Sequence, residues 1–321
     1  MEKELRIIIS GGGTGGHIFP AVSIANAIKV KHPDAKILFV GAEGRMEMQR
    51  VPAAGYEIKG LPICGFDRKN LLKNVKVLYK IWKSQRMAKK AEKICVAYEH
   101  MERFFPAEKI IMTGNPVRLA LLETTISKEE ALKSFGLDPS KRTILIVGGS
   151  LGARTVNESV LQHLDEIKNS SIQVIWQTGK YYHGQILEQM KSHTDMPMLK
   201  VLDFISDMGA AYKAADLVIS RAGASSISEF CLLGTPVILV PSPNVAEDHQ
   251  TKNAMALVEK DAALYVKDAE APQKVITLAI QTVNDKEKLA SLRTNILKLA
   301  LPDSADIIAD EVVKLAWHDK A

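Results

Sequence analysis

Short apolar runs and mixed segments alternate along the whole chain. "LRIIIS", "AKILFVG", "KRTILIVGG", "IQVIWQTGK", "MLKVLDF", "ADLVIS" and "GTPVILVP" are runs of a few mostly apolar residues, several ending at glycine, serine or proline. Runs of that length and punctuation predict strands buried on both faces, as in a parallel sheet. The segments between them carry helical spacing, and "SADIIADEVVKLAWHD" reads as a last amphipathic helix. Strand, helix and strand in repetition predict an α/β protein with parallel sheets. Leu5 to Ser10 is the first such strand, expected to be buried.

The opening unit, a strand running through "GGGTGG" into a helix, has an echo at "KRTILIVGGSLGARTVNESVLQHL". Two such starts predict two α/β domains in tandem, and 321 residues exceed what one core usually supports. Asn115-Pro116 marks the expected handover. In doubly wound sheets ligands bind beyond the carboxyl ends of the strands, so two Rossmann-like units can offer their glycine loops to one cleft.

Composition leaves this picture intact: 46% hydrophobic and 25% charged residues are ordinary for a globular protein. No apolar run approaches a membrane span and no signal-peptide pattern is present, which predicts a cytoplasmic protein. Cys64, Cys95 and Cys231 have no paired spacing and are expected to be small buried residues. Charge changes more. Arg68 to Lys93 holds ten Lys or Arg against one acid, so the net charge of +5 belongs to this patch and the rest of the chain is acidic. Leu71, Val75, Leu78 and Trp82 recur at helical spacing there, with Lys76, Lys80 and Lys83 between them. Such a stripe suits an anionic membrane surface. It equally suits a helix whose apolar side faces a core and whose lysines are solvated.

The candidate chemistry sits at the strand ends. Gly11, Gly13 and Gly16 satisfy G-x-G-x-x-G, a pattern shared by nicotinamide sites and by any turn that brings backbone amides to a phosphate. His17 follows directly, and an imidazole titrating near neutral pH suits removal of a proton from an acceptor hydroxyl. "GGSLGAR" permits a tight turn with Ser150 as a phosphate donor. In "SRAGASSISEF", small residues leave room for a diphosphate and Glu229 suits a ribose; alternatively Ser226 and Glu229 form an S-x-x-E capping box. "NVAEDHQTKNA" places His249 and Gln250 where an amide can meet sugar hydroxyls. No D-x-D pair or ligand-spaced cluster occurs, so no obligatory metal or cofactor is expected.

Together, "GGGTGGHIFPA", "CVAYEHMERFF", "TGNPVR", "GGSLGAR", "FISDMGAAYKAADLVISRAGASSISE" and "GTPVILVP" resemble, in order and over most of the chain, one peptidoglycan glycosyltransferase family. Its members add N-acetylglucosamine to undecaprenyl-diphosphate N-acetylmuramyl pentapeptide, converting lipid I to lipid II. The resemblance implies a GT-B fold, two Rossmann-like domains facing across a cleft. It implies an acceptor and membrane-side domain of residues 1–118 plus the helix 303–321, and a donor domain of residues 119–302. It also implies inversion at the anomeric carbon, UDP-N-acetylglucosamine as donor and no nucleic acid partner. Ile205 would meet the uracil through its backbone, Glu229 the ribose, Arg118, Ser150 and Ser226 the diphosphate region, and Gln250 the donor sugar. Gly13, Thr14, Gly15 and Gly16 would hold the acceptor diphosphate, Thr14 would also line the donor side, and His17 would be the base. The basic stripe around Trp82 would be the membrane patch of an enzyme peripheral on the inner face of the plasma membrane.

The chain departs from the family after Arg86, where the resemblance implies a further strand, a second glycine-rich loop and another strand that this sequence lacks. An NAD-dependent dehydrogenase, with Glu43 as its ribose acid, and a non-catalytic UDP-sugar binder are the readings that compete. Another GT-B transferase or a UDP-sugar epimerase would share the donor site.

Overall fold

A computed structural model describes residues 4–11, 15–61, 91–99, 101–117, 121, 123–149, 152–193, 195–245 and 248–318. The chain divides into two compact units, Met1–Arg118 with Leu301–Ala321, and Leu119–Ala300.

In the first unit, β1 (Arg6–Ser10), β2 (Lys36–Ala42) and β3 (Glu57–Leu61) form a parallel sheet in that order. β4 (Ile94–Val96) and β5 (Ile110–Met112) form a separate parallel pair. The register sets Ile9 opposite Phe39 and Phe39 opposite Ile58. Strand side chains alternate between faces, so these three share one face. They pack with Ile18, Ala21 and Ala25 of the helix Gly15–Lys31 and with Val51 of the helix Glu47–Ala53. The chain's last helix, Ser304–His318, returns to this unit. Its Ala305 and Ala309 pack against Ala27 and Ile28, and Lys31 pairs with Asp310 at 2.7 Å and Asp306 at 3.5 Å.

The opposite face corrects an expectation. β1 is parallel, but Arg6, Ile8 and Ser10 are exposed and Ile8 has 72% of its surface in solvent. The apolar run promised burial on both faces, yet among the described residues only the Ile7 and Ile9 side packs into a core cluster. Cys95, on β4, is likewise exposed rather than buried. Cys231 is buried, and burial pushes its thiol up to about 11. Cys64 and the whole basic stripe lie outside the described residues.

The second unit holds β6 (Thr143–Val147), β7 (Gln173–Gln177), β8 (Leu199–Leu202), β9 (Leu217–Ser220), β10 (Val237–Leu239) and β11 (Leu264–Tyr265). All pair in parallel in the order β11-β10-β9-β6-β7-β8. This is the 3-2-1-4-5-6 arrangement of dinucleotide-binding folds, with its reversal between β6 and β9. The strands are the apolar runs of the sequence, and here the expectation of burial on both faces holds: every residue of β7, β9 and β10 is buried. Trp176 at the centre donates its indole N–H to Asn157 Oδ1 at 2.9 Å, and Asn157 Nδ2 donates to the Thr178 carbonyl at 2.9 Å, so the polar atoms of this core are matched.

At the amino ends of β6 and β9 sits Asp216, whose side chain is 7% exposed. It accepts hydrogen bonds from Lys128 Nζ at 2.6 Å, Arg142 Nη1 at 2.7 Å and the Thr143 N–H at 2.9 Å. Burial alone pushes this carboxyl up, but the Lys128 ammonium, the Thr143 amide and the Arg142 guanidinium outweigh it and hold it below its ordinary value. A group lowered in the folded state stabilises above its ordinary value, 3.8 here, and loses that contribution as pH falls through the folded value. Both cations are well exposed, which screens the pair. Asp216→Asn is expected to cost about 1–3 kcal/mol at pH 7. Urea unfolding of variant and wild type across pH checks this: the gap should be constant at neutral pH and shrink below pH 3.8.

Candidate active site

Five chain segments that leave the carboxyl ends of β6, β7, β9, β10 and β11 line one cleft of about 680 Å³ within the second unit. From β6 the chain passes Gly148, Gly149 and Gly152 into the helix Arg154–Gln162; from β9 it passes Arg221 and Gly223 into the helix Ala224–Leu233. Beyond β10 come Ser242 and Asn244, then the helix His249–Val258 with Gln250, and beyond β11 the turn Asp268–Glu270. The volume suits a small organic ligand and the place is the topological switch point.

The glycine loop has a steric reason. Gly152 has φ +85°, and a Cβ there would lie 2.2 Å from the Thr178 carbonyl oxygen, so no side chain fits where this turn passes over β7's end. The three helices that begin at the cleft carry no Asp or Glu in their first turns. The helices capped by Ala153 and Gly223 turn the positive ends of their dipoles to the cleft with no carboxylate at the cap or in the first turn, whereas the third is capped by Asp248. Such a place takes an anion, and phosphates above all.

The sequence-derived donor residues divide in the structure. Ser226 and Gln250 line the cleft. Gln250 Oε1 accepts the Ser242 N–H at 2.9 Å, which fixes the orientation of the amide. The capping-box alternative is overturned: the helix cap is Gly223, without a side-chain bond, and Ser226 lies in the first turn. Glu229 follows on the same helix, buried at 6% exposure, and accepts the Tyr212 hydroxyl at 3.0 Å. Ile205 is buried just beyond β8, beside the part-exposed Phe204, over which Lys180 Nζ stands 5.8 Å from the ring centre. His249 opens the helix that carries Gln250. Gly13, Thr14, Arg118 and Ser150 lie outside the described residues.

In the first unit, His17 is the third residue of the helix Gly15–Lys31 and is exposed, with Gly15 and Gly16 at the helix start. Gly11 lets the strand close onto that helix, since a Cβ there would stand 3.1 Å from the His17 carbonyl oxygen. Ser23 Oγ, shared between the Phe19 and Val117 carbonyls at 3.0 and 2.9 Å, ties "TGNPV" to the same helix.

Sequence reasoning assigned nothing to Thr155, Tyr182, Arg221, Asn244 or Asp268, all on the cleft wall. Arg221 had a signal, a cation immediately after a strand and before a small-residue loop. Asp268 had none, because it reaches the cleft only through the position of β11. Among the described residues, no group of three His, Cys, Asp or Glu is placed to hold a metal ion.

Two family models match the chain: the glycosyltransferase family 28 N-terminal domain over residues 7–103 and its C-terminal domain over residues 143–308. A protein of Phocaeicola vulgatus named UDP-N-acetylglucosamine–N-acetylmuramyl-(pentapeptide) pyrophosphoryl-undecaprenol N-acetylglucosamine transferase is 61% identical, covering 98% of each chain. A protein of the same name from Bacteroides thetaiotaomicron is 59% identical, covering 98% of this chain and 99% of its own. The first alignment extends over 367 positions against the 321 residues of this chain, so the relative holds at least 46 residues with no counterpart here. The position after Arg86, where the sequence departs from its family, is outside the described residues. In three dimensions, Acinetobacter baumannii MurG aligns with a TM-score of 0.65 at 20% identity, covering 97% of this chain and 100% of that one. The calicheamicin glycosyltransferase CalG4 gives 0.61 at 11% identity, covering 98% and 99%, and a UDP-N-acetylglucosamine 2-epimerase 0.62 at 13%, covering 100% and 98%. These structures share the fold, and an epimerase among them shows that the fold alone does not choose the reaction. Parallel sheets, a cleft at the switch point, two family 28 domain matches and near-full-length identity to named transferases lead to one assignment: the chain belongs to glycosyltransferase family 28 and has the GT-B fold.

Proposed function

We propose that this protein transfers N-acetylglucosamine from UDP-N-acetylglucosamine to undecaprenyl-diphosphate N-acetylmuramyl pentapeptide, with inversion at the anomeric carbon. The observation that carries the reading is the convergence of three helix starts on one cleft, two of them without an acid at the cap or in the first turn, in a chain 61% identical to a transferase of that name. The leaving group of such a reaction is a nucleoside diphosphate. Helix N-termini stabilise the charge that gathers on it as the anomeric C–O bond breaks, and they stand ready before reaction begins. The helix starts, with Ser226 and, outside the described residues, Ser150 and Arg118, hold the diphosphate. Glu229 holds the ribose, Ile205 the uracil through its backbone, and Gln250 the sugar. No metal or cofactor enters this scheme.

His17 is the base of the acceptor side, where Gly13 to Gly16 cradle the acceptor diphosphate. The acceptor oxygen attacks the anomeric carbon, its proton passes to the imidazole, and UDP departs on the opposite face. A single displacement of this kind inverts the centre and needs one general base. The acceptor and the charge of the sequence stripe agree: Lys76, Lys80 and Lys83, with Leu71, Val75, Leu78 and Trp82, suit the anionic surface of the membrane in which an undecaprenyl chain is dissolved. The enzyme then works from the cytoplasmic face, as a peripheral protein; among the described residues no helix is long and apolar enough to cross a membrane.

The shortened acceptor side separates binding from turnover. UDP should raise the melting temperature and NAD should not, because the donor segments are present; a shift with NAD alone would restore the dehydrogenase reading. Transfer to a lipid I analogue should run at least about 100-fold below that of the longer Phocaeicola vulgatus relative, since loss of acceptor positioning alone costs that much. Equal turnover by the two proteins would refute this. His17→Ala should lower the remaining turnover by a further factor of about 100 with UDP affinity unchanged; loss of UDP binding instead would make His17 a donor ligand. The triple variant Lys76→Glu, Lys80→Glu, Lys83→Glu should lose at least about 100-fold in partition onto phosphatidylglycerol vesicles, at roughly 1 kcal/mol per lysine, measured by co-sedimentation.

A further inference from the structure

Arg221 looks at first like a ligand for the donor diphosphate, being a cation on the cleft wall directly after β9. Its hydrogen bonds point elsewhere. Nη1 donates to the Val240 carbonyl at 3.0 Å, to the Pro241 carbonyl at 3.2 Å and to Asp268 Oδ1, and Nη2 donates to Thr155 Oγ1 at 3.0 Å. Thr155 Oγ1 in turn donates to the same Asp268 oxygen. Arg221 and Asp268 are 16% and 15% exposed at the side chain, so water screens their pairing little.

These partners belong to different cleft segments. Thr155 sits in the first turn of the helix after the glycine loop, Val240 and Pro241 lie between β10 and Ser242, Asp268 follows β11, and Arg221 itself precedes the Gly223 cap. Ser242 N–H then holds Gln250. One planar guanidinium thus joins the four segments that bring three helix starts to the site, a task for which its fixed fork of donors suits it better than an ammonium.

We propose that Arg221 is a positioning residue of the donor site: charge-matched by Asp268, it sets the spacing of the diphosphate-binding helix starts and does not itself bind the diphosphate. The inference rests on the reading of this cleft as a nucleoside diphosphate-sugar site. Asp268 then has a defined part. It keeps the guanidinium on the protein, so that a dianionic ligand meets helix starts of fixed geometry rather than a mobile cation.

The test is calorimetric titration of the full chain with UDP and, separately, with uridine, which lacks the phosphates. Wild type should bind UDP more tightly than uridine. Arg221→Lys and Asp268→Asn should each weaken UDP about tenfold, as loss of a charge-assisted hydrogen-bond set does, while uridine affinity changes less than about twofold. Thr155→Val, which removes one hydroxyl and keeps the side chain's shape, should weaken UDP a few-fold and carries the test if the charge variants do not fold. Tighter UDP binding by Asp268→Asn would overturn the inference, because freeing a direct phosphate ligand from its partner strengthens binding. Equal losses for UDP and uridine, or unchanged UDP affinity in every variant, would overturn it as well. A wild type that binds uridine and UDP equally overturns the inference alone; one that binds neither overturns the functional reading and the inference with it.

Discussion

The pairing of β6 with β9 is the constraint on which the second unit depends. These strands are neighbours in the sheet but lie some seventy residues apart in the chain, with Val147 opposite Ser220 at their carboxyl ends. Because β7 and β8 continue on one side of β6 while β10 and β11 continue beyond β9, the two chains leaving this pair turn in opposite directions. A crevice opens between them for topological reasons, before any side chain is chosen. Glycines at 148, 149 and 152, and the small residues after Arg221, then let backbone amides form its walls.

The opposite end of the same sheet is built for stability. Asp216 with Lys128, Arg142 and the Thr143 amide closes the amino ends of β6 and β9, at the end of the sheet away from the cleft. The carboxyl end holds the Arg221–Asp268–Thr155 set, also an ion pair with hydrogen bonds, but arranged around an opening. Two clusters of similar chemistry thus serve different ends because parallel strands place every carboxyl terminus on one side. In the first unit, among the described residues, the sheet β1-β2-β3 packs one face and leaves Ile8 of the other in solvent.

The strands of the six-stranded sheet were legible as short apolar runs, and so were the helix after β9, with Ser226 and Glu229, and the last helix. Those features depend on local pattern, and local pattern survives reading one residue at a time. Burial on the second face of β1 was not legible, because it depends on what packs there, and an apolar strand looks the same whether that face is covered or open. The capping-box alternative failed for a related reason: S-x-x-E at 226 and 229 has the spacing of a helix start, but the chain had already entered the helix at Ala224, behind Gly223.

By itself, the sequence determined the fold class, the family and the types of residue at the strand ends, since short-range periodicity and ordered motifs need no third dimension. Only the tertiary structure decided which of those residues share one cleft, that Arg221 directs its donors into the protein, and that Asp268, nearly fifty residues away, is its partner. The physical reason is that hydrogen bonds and ion pairs act over a few ångströms, and proximity on that scale between distant segments is created by strand order.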